Sequence, residues 1–562
     1  MDRLKFLLLA LLLTACGGEA PDSESAGDGN PEVLLVHGAL IHTVSPAQPV
    51  AEAMAFTRDG EILALGSSVD LLTEFPEARP LDLHGRTVIP GLIDAHGHLS
   101  NLALSLTRAQ LAGTRSKAEV IQRLKEFEQD LGEDDWLLGR GWDQNDWPEQ
   151  AFPDRADLDQ HFPDRPVWLT RIDGHAGWAN SAALAMADRD LTGNWQEEGG
   201  FIHRDSQGRP TGILIDGARG LVERFAPETS EQLMSLALDL ALEQMVSLGL
   251  TGVHDPGLDR VQMERYLRKI EAGAFPSRVY AMAQGTGPVL EWLCGLGGIA
   301  HSSGRFHARA VKIFADGALG SRGAALLAEY NDDRGNAGLL FQQPAVLQQE
   351  FRKAMDCGFQ VAVHAIGDRA NRVTLDAFEA LQSDFPDNPG RHRIEHVQML
   401  SAPDLGRFAA LGVIASMQPT HATSDMYWAA QRVGPERIRF AYAWRALLER
   451  GARLALGSDF PVEEVNPMLG IYAAVTRQDL AGWPEGGWYP EQLILRAEAL
   501  RGFTLDAAYA AFMEEQVGSL EPGKRADFVV LDRDIMAVPA RYIAGTRVLE
   551  TWLDGQRVFS AQ

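Results

Sequence analysis

Eight short apolar, β-rich runs separated by longer helical stretches constrain this chain more than any other feature. The runs cover residues 88–95, 250–255, 278–283, 309–315, 359–364, 392–396, 413–417 and 453–459. Helical patterns such as SEQLMSLALDLALEQMVSLG (230–249) and QRVGPERIRFAYAWRALLERG (431–451) lie between them. Strand and helix in regular alternation favour parallel strands with helices packed outside, so eight repeats predict an α/β fold, a TIM-like (β/α)8 barrel. One interval breaks the rhythm. Ala95 and Leu250 are 155 positions apart, whereas a βα unit averages roughly 30 residues. A large insertion after the first barrel strand, about 100–225, is therefore expected. It holds Trp136, Trp142, Trp147, Trp168, Trp178 and Trp195, six of the twelve tryptophans. So many large apolar rings imply a packed subdomain, either over the barrel mouth or as a rigid core of its own.

The chain ends have a different texture. Short strands with turns fill 33–88, with Arg58-Asp59-Gly60 as a hairpin signal, and the pattern returns in 527–531, 548–553 and 556–559. The segments 33–88 and 518–562 are predicted to pair into one small β-sandwich, which leaves 89–517 for the barrel and its insertion. Residues 1–15 are an address. Arg3 and Lys5 precede an eight-residue apolar run, Phe6 to Leu13, too short to cross about 30 Å of hydrocarbon as a helix. This reads as a secretory signal. The ending Leu13-Thr14-Ala15-Cys16 resembles the lipobox of bacterial lipoproteins. It implies cleavage before Cys16, lipidation of its sulfur and a membrane anchor through that lipid. Gly17 stands where an aspartate would signal inner-membrane retention, so an outer-membrane lipoprotein facing the periplasm is expected. Residues 16–32, small, acidic and polar, form a flexible tether.

Composition narrows the partners. A formal charge of −26 opposes binding to a nucleic-acid backbone; a small-molecule substrate is expected from the motifs quoted below, and the sequence does not fix an oligomeric state. Three cysteines, Cys16, Cys294 and Cys357, exclude a disulfide framework, and no pair has zinc-finger spacing.

In such a barrel the chemistry sits at the C-terminal ends of the strands. Run one ends Asp94-Ala95-His96-Gly97-His98. Run four carries Lys312, run five ends at His364, run six at His396, and run eight at Asp459. His96 and His98 are two apart on extended chain, so their rings leave on one face. Each residue alone has an ordinary structural reading: a solvated turn histidine, a satisfied core histidine, a helix-capping aspartate, an edge lysine. Together they form one set of imidazole, carboxylate and amine groups at one end of a barrel, a donor set suited to Zn²⁺ or a similar divalent ion. Asp173, His175, Asp255, Arg322 and His421 are further polar candidates for substrate contact.

The motifs VIPGLIDAHGHL (88–99), VKIFADGALGSRGAAL (311–326), VAVHAIGDRA (361–370), RIEHVQ (393–398), SMQPTHATSDM (416–426), LALGSDFPV (454–462) and GSLEPGKRADFVVLD (518–532) resemble those of the metal-dependent amidohydrolases. The branch is amidohydrolase family 3, with its N-substituted formamide deformylase-like proteins. The resemblance covers about residues 33–562. It implies that His96, His98 and Asp459 bind a buried divalent metal, Zn²⁺ first among candidates, and that His364 and His396 bind a second. It also implies that Lys312, if carboxylated, bridges the two, with one ion or two left open. Asp459 would also carry the proton of the attacking water. The implied activity is hydrolysis of an amide or other C–N bond. An ester, lactone or cyclic imide would suit the same site, because metals act on the carbonyl and not on the leaving group. A non-catalytic, solute-binding lipoprotein would be signalled by loss of Asp459 or a metal histidine, and all six positions are intact.

Cys16→Ser is expected to release the protein from the membrane fraction or to block its processing, without disturbing the folded region beyond the tether. Cell fractionation checks this, and wild-type protein found wholly soluble would contradict the anchor.

Overall fold

A computed structural model of the chain describes residues 32–386 and 390–561; the signal, Cys16 and almost all of the tether lie outside the described residues. The barrel strands are β1 (Leu92–Asp94), β2 (Leu250–Leu258), β3 (Arg278–Gln284), β4 (Phe306–Phe314), β5 (Gln360–Ala365), β6 (Arg393–His396), β7 (Ile414–Met417) and β8 (Leu454–Leu456). Each pairs in parallel with the next from β1 to β8. The expected α/β barrel is what the chain forms.

The seam between β8 and β1 is closed by fewer bonds than a full ladder. Ala95 donates its N–H to Leu456 O at 3.0 Å. The Asp94 carboxylate, buried beside it, accepts from the N–H of His96 at 3.0 Å and from the N–H and hydroxyl of Ser458 at 3.1 and 2.6 Å. Gly457 permits this approach, since a Cβ there would stand 2.4 Å from Asp94 Oδ1.

Several strands differ from their sequence runs: β8 stops at Leu456, three residues short of Asp459, β4 begins at Phe306, and two further differences bear on the site. The run 88–95 divides at Gly91. Thr87–Pro90 pairs antiparallel with Phe528–Leu531 in a sheet of the chain ends, and only Leu92–Asp94 enters the barrel. The chain changes sheets where it grazes β2: a Cβ on Gly91 would lie 2.2 Å from Thr251 Oγ1. Strand β2 continues three residues past its run, to Leu258, which puts His254 and Asp255 inside the strand and not at its end.

Amphipathic helices cover the barrel. Glu231–Ser247 is capped by Ser230, whose side chain accepts from Leu233 N–H, and buries Met234, Leu238, Ala241, Leu242 and Met245 on one face, the spacing of a helix with a single apolar stripe. Inside the barrel, Ile93, Tyr280, Met282, Ala310, Ala362, Ile414 and Ala455 pack on Ala507, Ala508 and Ala511, in and after the helix Leu505–Ala510.

Beside the barrel stand a four-stranded sheet from residues 33–82 and a six-stranded sheet that joins Leu40–His42 and Thr87–Pro90 to Phe528–Leu531, Val548–Leu553 and Gln556–Ser560. Phe56 reaches the stacked pair Phe528 and Trp552, whose rings lie 5.2 Å apart. The insertion forms its own six-stranded sheet around Trp142, Trp147 and Trp178, with ring separations of 5.9–6.3 Å.

A disulfide joins Cys294 to Cys357, 63 residues apart. One bond is not a framework, and nothing in the spacing signalled it. Among the described residues no helix is long and apolar enough to cross a membrane.

Gly97 sits where the seam meets the site, and a Cβ there would stand 2.3 Å from the Phe460 ring. Gly97→Ala is therefore expected to destabilise the protein by about 1–3 kcal/mol, the usual cost of overpacking. Thermal unfolding checks this; an unchanged midpoint would show that the ring can move aside.

Candidate metal centre and active site

The C-terminal ends of the strands open into a cavity of ≈ 990 Å³ whose wall includes His98, Lys312, His364, His396, His421 and Asp459. The insertion supplies the opposite wall through Arg140, Arg171, Asp173, His175 and Asp216, so it does lie over the barrel mouth. Five imidazoles crowd the barrel side. The rings of His96 and His98 are 5.3 Å apart, those of His96 and His396 4.7 Å, of His364 and His396 4.6 Å, and of His396 and His421 5.9 Å.

Asp459 is the centre of this group. Its Oδ1 lies 3.2 Å from His98 Nε2 and 3.6 Å from His96 Nε2, and its Oδ2 lies 3.7 Å from His421 Nε2. The backbone is held open for it: Asp459 has φ +63° and donates its N–H to His96 O at 2.6 Å, and His396 has φ +76°. Left-handed backbone at non-glycine residues costs of order 1–3 kcal/mol each and is found mainly at functional sites.

Protonation states follow from burial and neighbours. Burial, with help from Lys312, lowers the His96 pKa to about 4 against the pull of Glu395. Burial also holds His364 and His396 well below the usual imidazole value. Burial opposes ionisation of Asp459, but the adjacent His98 and His96 rings outweigh it and hold the carboxyl below its ordinary range. Burial lowers Lys312 to about 8. Neutral imidazoles around an ionised carboxylate are the states a cation needs in its ligands.

The donor set fits a metal on its own geometry. His96, His98 and Asp459 bring ligand atoms within 4.8 Å of one another, and so do His396, His421 and Asp459. His421 Nε2 and Asp459 Oδ1 are buried without a good hydrogen-bond partner, a costly state unless something electropositive takes their lone pairs.

The structure redistributes the sequence candidates. His421, read as a substrate contact, joins His396 and Asp459 in the second group. His364 stands beside that group on His396, with Nε2 3.4 Å from Gly317 O. Lys312 Nζ lies 3.3 Å from His96 Nε2. Asp173 and His175 line the cavity; Asp173 pairs with Arg171 at 2.5 Å and His175 with Asp216 at 2.7 Å. Asp255 accepts from Tyr266 at 2.6 Å and Arg322 pairs with Asp332 at 2.9 Å, and neither is among the residues of the cavity wall.

Sequence reasoning passed over the residues that aim the ligands. Glu395 Oε2 takes His96 Nδ1 at 2.5 Å, so Nε2 is the nitrogen left for the centre. Arg393, fully buried, binds Glu395 through Nε at 2.5 Å, Ala95 O and Ser416 Oγ at 2.6 Å, and His254 Nδ1 at 2.9 Å. Gln418 Oε1 meets His396 Nδ1 at 2.9 Å. Asp316 accepts the N–H groups of Ala325, Ile366 and Gly367 at 2.8–2.9 Å and thereby ties the turn after β5, and His364 with it, to the loop after β4. The available signal was an arginine and a glutamate inside the apolar run RIEH, where charge is seldom buried without a task.

A family model described as the amidohydrolase family matches residues 80–559. This chain belongs to the amidohydrolase family. The Bacillus subtilis protein YtcJ is 35 % identical over 535 residues, covering 93 % of this chain and 98 % of that one. The N-substituted formamide deformylase of Arthrobacter pascens is 28 % identical, covering 93 % and 97 %. Among solved structures, a metal-dependent hydrolase of uncharacterized function from Pyrococcus horikoshii is similar with a TM-score of 0.72 at 28 % identity, covering 91 % of this chain and 99 % of that one. The barrel is thus that of an amidohydrolase with a metal-dependent hydrolase among its structural neighbours, and membership supports hydrolysis of amide-like bonds.

Glu395→Gln keeps the shape but removes the charge that orients His96. Metal affinity is expected to fall about 10–100-fold, the usual cost of losing a carboxylate behind a ligating histidine. Competition against a chelator of known affinity checks this, and unchanged affinity would mean that Glu395 serves the fold alone.

Proposed function

We propose that this amidohydrolase hydrolyses an amide or other C–N bond of a small molecule. The observation that carries the reading is the convergence of His96, His98, His396 and His421 on the single carboxylate of Asp459. His96, His98 and Asp459 would hold one divalent ion, and His396 and His421, with His364 adjacent, a second. Zn²⁺ suits this nitrogen and oxygen set. Bound there, such an ion would supply Lewis acidity toward the carbonyl and would make water acidic enough to ionise near neutral pH.

The chain's own residues do the rest. Asp459, ionised and facing the cavity, accepts a proton from the attacking water and returns it to the leaving nitrogen. Glu395 and Gln418 fix the ring orientations of His96 and His396, so that the ligand nitrogens need no reorganisation during the reaction. Lys312, lowered to about 8 by burial, has an accessible neutral amine that can take up CO₂ as a carbamate and so become an anionic ligand. The insertion wall excludes bulk water from one side and shapes the substrate space. The formamide deformylase among the relatives acts, by its name, on a C–N bond, which supports this choice over ester or lactone cleavage. We also place the protein in the cell envelope, anchored through Cys16; the Cys294–Cys357 bond supports an oxidising compartment.

Asp459→Asn keeps one acceptor oxygen and removes the base. Turnover is expected to fall by at least about 10²–10⁴-fold, the contribution of general acid–base catalysis, with metal retained at a reduced but measurable level. The test is kcat on an N-acyl amine or formamide substrate with metal content measured in both proteins. An Asp459→Asn enzyme that holds its metal and turns over within a few-fold of wild type would refute this mechanism.

A further inference from the structure

A second cleft lies away from the barrel mouth, between the insertion and the helix Glu231–Ser247, with a volume of ≈ 320 Å³. That is the lower end of the range for small-molecule sites. Its wall is largely apolar. Phe127, Leu131, Trp136 and Leu138 come from the insertion, and Leu233 and Leu236 from the helix. The first five are half-buried and Leu236 is exposed. Phe127 and Leu131 pack on the core that holds Trp142, Trp147 and Trp178, and Trp136 and Leu138 on the neighbouring core around Trp168. These four side chains are therefore held from behind and still present apolar surface to the cleft.

One cation stands in this wall. Arg108 lines the cleft. Among the described residues its guanidinium makes no hydrogen bond or close ion pair, and its Nε is buried without a partner. Glu223 attracts it through space, but both Glu223 oxygens are taken by Arg219 at 2.8 Å. Burial, joined by repulsion from Arg219, disfavours the charged form of Arg108 by more than Glu223 favours it. A counter-charge is thus present at a distance, and what Arg108 lacks is a hydrogen-bond acceptor. A buried donor left unpaired is costly, and a ligand that supplies the acceptor removes the cost. The backbone around it is pinned: Thr107 donates its N–H to Leu104 O at 3.1 Å and Arg108 to Ser105 O at 3.0 Å. Ser105, Leu106 and Gln110 face the cavity at the barrel mouth, whereas Thr107 and Arg108 face the cleft. The stretch 105–110 is a partition, so the cleft is separate from the candidate metal centre.

The chemistry of the wall describes its ligand. Apolar side chains around a small cleft take an apolar body out of water. The planar fork of arginine matches a carboxylate with two parallel hydrogen bonds. Asp135 and Glu228 also line the cleft, and both are exposed; they repel a dianion more strongly than a monoanion. We propose that this cleft is a second, non-catalytic binding site for an amphipathic monocarboxylate of the short fatty-acid type. Its carboxylate sits on Arg108 and its chain lies against Trp136, Leu233 and Leu236. The assignment does not depend on which bond the barrel site cleaves.

The test is calorimetric titration of octanoate, acetate and octylammonium into metal-loaded wild type, Arg108→Gln and Leu236→Asn. Octanoate is expected to bind wild type, and Arg108→Gln to weaken it about 10–100-fold, the range for a hydrogen bond to a charged group. Acetate lacks the apolar chain and octylammonium has the opposite charge, so each should bind wild type at least about tenfold more weakly than octanoate. Leu236→Asn should weaken octanoate about 3–10-fold and leave acetate unchanged. The thermal midpoint of Arg108→Gln should hold, because the change breaks no hydrogen bond. If that variant fails to fold, Leu236→Asn, at an exposed position, decides by its octanoate-to-acetate contrast. Crystals grown with octanoate should show its carboxylate within hydrogen-bond distance of Arg108. No binding of octanoate to wild type, unchanged affinity in a folded Arg108→Gln, equal affinity for octylammonium, or octanoate found only among the histidines of the barrel mouth would each overturn the assignment.

Discussion

The buried ion pair of Arg393 and Glu395 is the interaction on which the rest of the site depends. Both side chains are fully inaccessible inside the barrel, where an unpaired charge would be very costly. The pair resolves this by spending its donors and acceptors on structure. Arg393 ties β6 to Ala95 at the end of β1, to Ser416 on β7 and to His254 on β2. Glu395 then presents one fixed oxygen to His96. A change in barrel closure would therefore move His96, and a change at His96 would leave a buried carboxylate half satisfied. Position and charge are set by the same residues.

The seam between β8 and β1 extends that logic. Asp94 clamps the loop after β8 through Ser458, and Asp459 follows immediately with its N–H on His96 O. The carboxylate at the centre of the site is thus delivered by the same contacts that close the barrel. The left-handed backbone at His396 and Asp459 is tolerated because these contacts over-determine it. The insertion contributes the opposite wall, with its own tryptophan core keeping Arg140, Asp173 and His175 fixed over the mouth.

Much of this was legible in the sequence, for specific reasons. The eight β-rich runs mark the strands because buried parallel strands are short and apolar, and the break at 155 positions marks the insertion. His96, His98, His364, His396 and Asp459 stood out because polar residues ended apolar runs. The grouping of His421 with Asp459 was not legible, since it depends on how the helix Pro419–Asp425 tips toward β8. Glu395 and Arg393 were hidden inside a strand read as apolar, and Arg140 inside a Gly-rich strand of an insertion with no internal repeat to guide it. Asp255 and Arg322 were plausible by position, yet their partners Tyr266 and Asp332 come from elements whose packing no local pattern reveals. The Cys294–Cys357 bond was equally invisible, because the fold and not spacing brings the two sulfurs together.

The central claim is that the histidine and aspartate cluster at the barrel mouth is a metal centre that hydrolyses a C–N bond. Removing metal with a chelator and restoring Zn²⁺ in measured steps, while following cleavage of an amide substrate, tests it most directly. Hydrolysis should vanish with the metal and return in proportion to the ions bound, reaching its plateau at one or two per chain. Undiminished turnover in protein shown to be metal-free would contradict the account.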